Sequence, residues 1–509
     1  MASPEAIAIV LGLFAHCFVF IHGEWHLRAP AVVVFHVCVA ALLYIWELSR
    51  LTANGSWTVV LVGAYIFSLL SSISIYRLFF HRLRIFPGPR LAAWTKLWHV
   101  WKCRDSRGHH VLEEWYRQYG EFVRTGPAEI TIFHPAAYEA MDGPGNRNTR
   151  SDWYDLLYPR ISSIFTRDRK LHHERRKMWD HALSAKVLPQ YNQKVVDRVR
   201  SLEDLISAHS SSPVIINDLM HFFAFDSMGD FAFSEDFIQQ SGFLDLALLL
   251  YLVYGKCGIG FICWSFVISV WPDGCRMKKT PAERDIASWF IDDHIKHGAS
   301  PNRARWLSGD TATLVVAGSD TTAPSLTLLF YFLARYPQHI ERIYEEIQHV
   351  DRRDPSALAT LPHLTGTINE SMRLLPAVPT FSSRVTPAEG LFVDGTWIPG
   401  NIKICAPRYS IGRLESAYVR PLDFIPERWY SQPELIRDKR AFAPFGVGRT
   451  SCVGRHLALA HIRLVTVGLV SQYRIRFAPG ERNGEAVERD MKDQLTAHPG
   501  ACRVIFEPR

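Results

Sequence analysis

Residues 442–455 read Phe-Ala-Pro-Phe-Gly-Val-Gly-Arg-Thr-Ser-Cys-Val-Gly-Arg, and a helical pattern follows at once in Leu457, Ala458, Leu459, Ala460, Ile462, Leu464 and Val465. A glycine-rich loop that turns directly into a helix places Cys452 beside free backbone N–H groups and the positive end of the helix dipole. Those are the surroundings in which a thiolate is stabilised. Gly446, Gly448 and Gly454 permit positive φ or the close approach of a flat ligand to the backbone. Arg449 offers a fork-shaped donor for a carboxylate. A lone cysteine is ordinarily an inert small hydrophobe; in this company it reads as a functional thiolate.

The other cysteines give the contrast. They stand at 17, 38, 103, 257, 263, 275, 405 and 502, nine in all with Cys452. Scattered, odd in number and without zinc-ligand spacing, they predict neither a disulfide framework nor a zinc site. A reducing, cytosol-facing compartment fits them best. The net charge of +7 over 509 residues is modest. No dense Lys/Arg stripe interleaves with aromatics, so nucleic acid is not an expected partner. A mild basic excess suits an anionic membrane face or an acidic docking partner, and an ordinary basic surface equally well.

Three apolar runs crowd the N-terminus, at 6–21, 31–46 and 57–76. The third is the strongest, uncharged over the ~20 residues a spanning helix needs. The first two are shorter and carry His16 and His36. Arg77, His81, Arg82 and Arg84 follow the third run, and positive charge marks the cytoplasmic end of a span. Phe86-Pro87-Gly88-Pro89-Arg90 cannot continue a helix and predicts a stiff hinge. The expected organisation is therefore a membrane anchor over 1–84 with up to three transmembrane helices, then one large domain over 85–509. Hydrophobic residues make up 48% of the chain, enough for a single extensive core. A fourth apolar region, 244–271, is interrupted by Asp245, Lys256 and several glycines. It reads as two helices whose greasy connection dips into a membrane surface, not as a span.

Two interior segments bear on chemistry. Ala317-Gly318-Ser319-Asp320-Thr321-Thr322 lies in the middle of a helical pattern over 311–335. Gly, Ser and paired Thr compete for backbone hydrogen bonds there, and such local irregularity often marks a site. Glu370 and Arg373 share one face of a helix over 364–374, and Pro426-Glu427-Arg428-Trp429 follows before the cysteine loop.

The loop around Cys452 resembles the Phe-x-x-Gly-x-Arg-x-Cys-x-Gly haem-binding loop of the cytochrome P450 family. The resemblance runs from about residue 86 to 509 and includes 225–230 and 331–337. It implies a mostly α (α+β) fold with small β-sheets, and haem b held by the Cys452 thiolate, with Phe445 packed beside the sulfur. It places Arg449, His172, Arg176 and Arg384 on the haem propionates, with Gly446 and Gly454 shaping the loop. His172 stands where relatives often carry Trp. Asp320 and Thr321 become the acid–alcohol pair that delivers protons to dioxygen, with Gly318 leaving room for the oxygen. Glu370, Arg373 and Arg428 become a buried triad that maintains the fold. Gly412, His461 and the number of N-terminal runs depart from the family's habits.

The activity so implied is monooxygenation, a hydroxylation or epoxidation of a hydrophobic small molecule. A terpenoid or alkaloid of fungal secondary metabolism is expected, with a fatty acid or xenobiotic as the alternative. No nucleotide-binding glycine loop accompanies a strand–helix unit, so NADPH should act indirectly. It would do so through NADPH–cytochrome P450 reductase, with cytochrome b5 as a further donor, at the endoplasmic reticulum membrane and with the catalytic domain cytosolic. A haem sensor without turnover, or a peroxide isomerase needing no reductase, is disfavoured by the acid–alcohol pair. The expected pocket wall comprises 153–157, 244–271, Val315, 378–381 and 495–497.

Overall fold

A computed structural model describes residues 3–49, 55–158, 161–208, 212–234, 284–298, 301–380 and 383–509. The region 244–271, Phe381, Ser382 and the cysteines at 257, 263 and 275 lie outside these described residues. The chain divides into two compact units, one of residues 1–101 with 123–130, the other of 102–122 with 131–509.

In the first unit the apolar runs are helices. Pro4–Phe14 starts at a Ser3 cap and continues as a wider turn over Ala15–Phe20. Ala29–Leu48 and Ser56–Ile75, the latter prolonged over Tyr76–Phe80, are long and apolar enough to cross a membrane. Polar groups tie them together. Gly12 packs so closely on Tyr65 and Ser68 that a Cβ would have no room. Ser68 Oγ donates to the Ile9 carbonyl at 2.8 Å, and His16 Nδ1 lies 2.7 Å from Ser72 Oγ. His36 Nε2 stands 2.9 Å from Tyr65 Oη. The Glu47 carboxylate accepts the N–H groups of Trp57 and Thr58 at 3.0 and 2.7 Å, capping the third helix from the end of the second. The helix breaks at His81, a short 3-10 turn follows over Arg82–Ile85, and the next α-helix begins at Arg90, after the Pro-Gly-Pro run.

The second unit is mostly helical with small antiparallel sheets, as the sequence predicts. Its axis is the 35-residue helix Pro301–Arg335, about 50 Å long at 1.5 Å per residue. That helix starts ten residues earlier than the periodicity indicates. Its buried stretch Leu326–Leu333 and the helix Arg455–Gln472, with Leu457, Leu464, Val465 and Val467 inside, belong to one extensive core. Ser383–Val385 pairs on one side with Thr149–Arg150 and on the other with Lys403–Cys405. Tyr473–Phe477 pairs with Arg503–Pro508, and Lys492–Gln494 with Thr496–His498 through a turn of one residue, Leu495.

Glu370, on the helix Pro362–Leu374, organises the segment leading to the cysteine loop. Its carboxylate is fully buried and accepts five hydrogen bonds of 2.8 to 2.9 Å. The donors are Arg373 Nε and Nη2, Arg428 Nε, Trp429 Nε1 and the Ile425 amide. The two guanidiniums carry one positive charge more than Glu370 neutralises. They spread it over backbone carbonyls: Arg373 on Gly412, Pro421 and Asp423, Arg428 on Val419, Arg420 and Leu435. Gly412 is part of the design, because a Cβ there would overlap the Arg373 carbonyl. Glu370→Gln keeps the shape and strands two buried cations, so it should destabilise the unit by about 3–5 kcal/mol. Chemical denaturation of the purified variant against the parent measures this.

Candidate active site

The cysteine loop is closed by its own backbone. The Cys452 amide donates to the Phe445 carbonyl at 2.8 Å, Gly446 N–H to Ala443 at 3.0 Å, and Ser451 N–H to Gly448 at 3.2 Å. Gly446 and Gly448 adopt φ of +69° and +63°, the left-handed region in which a side chain is strained. At Gly448 a Cβ would also collide with the Asp142 carbonyl. The helix Arg455–Gln472 starts from Gly454, so Cys452 stands just ahead of its N-terminus. The thiol is open to solvent-sized space although protein surrounds it, so it lines a hollow. Burial pushes the thiol pKa up, while the Gly454 amide and the guanidiniums of Arg176, Arg408 and Arg455 pull it down.

The arginine of this loop stands one place nearer Phe445 than the Phe-x-x-Gly-x-Arg-x-Cys-x-Gly pattern requires. Thr450 therefore occupies the position two before Cys452. Its hydroxyl lies 3.2 Å from Arg384 Nη2, while Arg449 reaches the Asn148 carbonyl at 3.4 Å.

Around the loop the cations outnumber their partners. The helix Arg169–Ala182, capped by the Asp168 carboxylate on the amides of Lys170 and Leu171, carries His172 and Arg176 one turn apart. Arg176 Nη1 donates to the Ser451 carbonyl at 2.7 Å and its Nε to Asp180 at 2.8 Å. Arg384 spends its fork on Asp142, at 2.7 and 2.9 Å, and reaches Tyr154 Oη at 2.6 Å. Arg150, its register partner on the neighbouring strand, donates to the carbonyls of Ser163 and Thr166. Burial, together with Arg150, Arg176, Arg449 and Arg384, pushes His172 down to about 3, so it is neutral. Four guanidiniums thus bear on one histidine, and among the described residues the carboxylates they touch are Asp142 and Asp180. An accessible thiol beside this excess of positive charge fits a flat group with two carboxylates and an iron, which is haem b.

On the long helix, Leu314, Val315, Val316, Ser319 and Thr322 are buried, whereas Ala317 is exposed and Thr321 partly so. Small side chains open to space in the middle of a core helix mark the wall of a hollow. Val315 faces the core instead of that hollow. Hydroxyls fold back on the backbone, Ser319 to Val315, Thr321 to Ala317 and Ser325 to Thr321, each at 2.6 to 2.7 Å. Pro324, which the sequence reading passed over, has no N–H for the Asp320 carbonyl one turn back. The expected irregularity is therefore present in the hydrogen bonding while the helix runs on. Burial pushes the Asp320 carboxyl up to about 7. The room expected at Gly318 belongs to a neighbouring helix, because a Cβ there would strike Met228 of Ile216–Phe233.

Other residues escaped the sequence reading. Arg175 binds the buried Asp310 (2.5 Å) and Asp293 (2.7 Å), and Asp310 also takes the Ser163 amide and Trp179 Nε1. This joins the helix Arg169–Ala182 to the long helix. Leu495 holds φ of +78°, rare for a bulky residue, and Asp493 takes its amide and the Thr380 hydroxyl. His461 is buried between Phe223 and Phe231.

The chain's helical fold with small sheets, built around a cysteine loop that fits a haem–thiolate centre, defines the class. Its sequence matches the Cytochrome P450 family over residues 276–504. Tryprostatin B 6-hydroxylase of Neosartorya fischeri is 32% identical over 94% of this chain and 93% of its own length. Cytochrome P450 monooxygenase notG' of Aspergillus versicolor is 32% identical over the same shares. Cytochrome P450 monooxygenase sthD of Phaeosphaeria nodorum is 34% identical over 87% of this chain and 98% of its own. A retinoic acid-bound cyanobacterial CYP120A1 shares the fold, with a TM-score of 0.67 at 19% identity over 84% of this chain and 99% of that one. The chain belongs to the cytochrome P450 family and is a haem–thiolate monooxygenase.

Three substitutions test this geometry. Gly318→Ala should cost about 1–3 kcal/mol through overpacking on Met228, and Met228→Ala in the same chain should recover part of it, both read from thermal melting. Leu495→Gly should raise stability by about 1 kcal/mol by relieving the left-handed strain, with no loss of haem.

Proposed function

We propose that this chain, anchored in the endoplasmic reticulum membrane by residues 1–84, uses a cytosolic domain over 85–509 to oxygenate a hydrophobic small molecule, a terpenoid or alkaloid of fungal secondary metabolism. The accessible Cys452 thiol in a pocket with surplus positive charge is the observation that carries the reading. Haem bound there activates dioxygen for insertion into a C–H bond or alkene. Cys452 ligates the iron and Phe445 flanks the sulfur, while Gly446 and Gly454 let the loop lie flat. Arg449, Arg176 and neutral His172 hold the propionates, and Arg384, clamped by Asp142, adds its field. Thr321 turns its hydroxyl from the Ala317 carbonyl into the hollow, and Asp320, half protonated near neutrality, supplies the proton.

Electrons come from NADPH through a membrane-bound cytochrome P450 reductase, with cytochrome b5 as a second donor. The relative named for the 6-hydroxylation of tryprostatin B supports an alkaloid as the first compound to try. Co-expression with reductase in a host lacking the chain's substrates, followed by feeding tryprostatin B and a terpenoid panel, should give products heavier by one oxygen. Cys452→Ser should lose stoichiometric haem and the red-shifted carbon monoxide band of thiolate-ligated iron. A serine variant that keeps both refutes the reading.

A further inference from the structure

Asp320 can give one proton and must then be recharged, and the helix Ile216–Phe233, packed along the long helix at Gly318 and Met228, brings a group suited to that task. His221 Nε2 stands 3.8 Å from Asp320 Oδ1, the two side chains both partly accessible. That is too close for an intervening water and a few tenths of an ångström beyond hydrogen-bond length. A neutral imidazole accepts at one nitrogen while donating from the other, so it passes protons without building up charge. Burial holds His221 near 4, in its neutral form, while Asp320 sits near 7.

Beside His221 lie two further titratable groups. His498, at the end of the strand Thr496–His498, is near enough for the charge of His221 to act on it, and its Nε2 stands 3.4 Å from Thr496 Oγ1. Burial, His221 and Lys492 together push His498 down to about 4. Asp218, on the same helix as His221, is pushed up by burial. Asp320 and His221, from two packed helices, thus face each other at 3.8 Å, and His498 on the hairpin feels the charge of His221.

We propose that His221 is the residue that reprotonates Asp320. Each transfer breaks an N–H bond on His221 and forms the O–H bond on Asp320, the imidazole regains a proton at its other nitrogen from solvent, and a flip of the ring turns that N–H towards Asp320 for the next transfer. Two such protons accompany the two electrons consumed for every dioxygen cleaved. The inference rests on the reading of Asp320 as the acid, and the test separates the two.

The full-length, haem-loaded chain is compared with His221→Phe, His221→Gln and Asp320→Asn, each checked for unchanged melting and haem content. The first readout is infrared: the carboxylic acid band that Asp320→Asn removes, followed through a pH titration and after transfer into heavy water. The second uses reductase and NADPH without added substrate, measuring the ratio of hydrogen peroxide, which needs two protons, to superoxide, which needs none. Both His221 variants should shift the titration midpoint of the Asp320 band and slow its deuteration. They should also lower the peroxide-to-superoxide ratio by at least about tenfold, short of the ~10²–10⁴ expected for loss of the general acid itself. The double variant with Asp320→Asn should be no worse than Asp320→Asn alone. If Asp320→Asn changes the ratio while both His221 variants match the parent in both readouts, the recharging role is overturned and the acid stands. If Asp320→Asn leaves the ratio unchanged, the acid reading fails and the role of His221 falls with it.

Discussion

A fully buried carboxylate with five protein donors is the constraint on which the active-site architecture rests. Glu370 cannot lose its charge without stranding Arg373 and Arg428, and those guanidiniums cannot move without abandoning six backbone carbonyls between Gly412 and Leu435. An irregular segment with few regular elements is thereby fixed immediately ahead of the cysteine loop. The loop adds only short local bonds of its own. Its position is inherited from an ion cluster that takes no part in the chemistry.

The second constraint is a charge imbalance. Protein interiors seldom collect guanidiniums without matching carboxylates. Here the fork of Arg384 is satisfied by Asp142, whereas His172 is kept neutral by burial and by the field of four arginines. A bound dianion removes the mismatch. The same logic accounts for Arg175, which carries a full set of partners in Asp310 and Asp293 and serves to fasten two helices.

What the sequence reveals and what it conceals divide along physical lines. The cysteine loop, the polar Gly318–Thr322 step of the long helix and the Glu370–Arg373 pair are legible because each depends on residue types at fixed short spacings, and Arg428 joins that pair from 58 residues on. The helical class and the apolar N-terminal runs are legible from periodicity and composition. Arg150, Asp310 and His221 are not, since their meaning arises only when elements distant in sequence are packed together. Gly318 shows the limit within a motif: the missing side chain is plain to read, but Met228, which fills the space, lies ninety residues away on another helix. The displaced arginine is a subtler case. Thr450 and Arg449 share the neighbourhood that one arginine was expected to fill, and in the fold Thr450 meets Arg384 while Arg449 reaches the Asn148 carbonyl.

The interlocked N-terminal helices bear on how the protein is handled. Ser68, Ser72, Tyr65 and the amide of Thr58 all find their partners on the two preceding helices. A shortened version beginning at the strongest apolar run would remove those partners, although Ser68 would keep the Tyr65 carbonyl of its own helix, and in apolar surroundings an orphaned polar atom is expensive. Clipping the first fifty residues to ease purification would thus exchange a self-satisfied bundle for a sticky single helix.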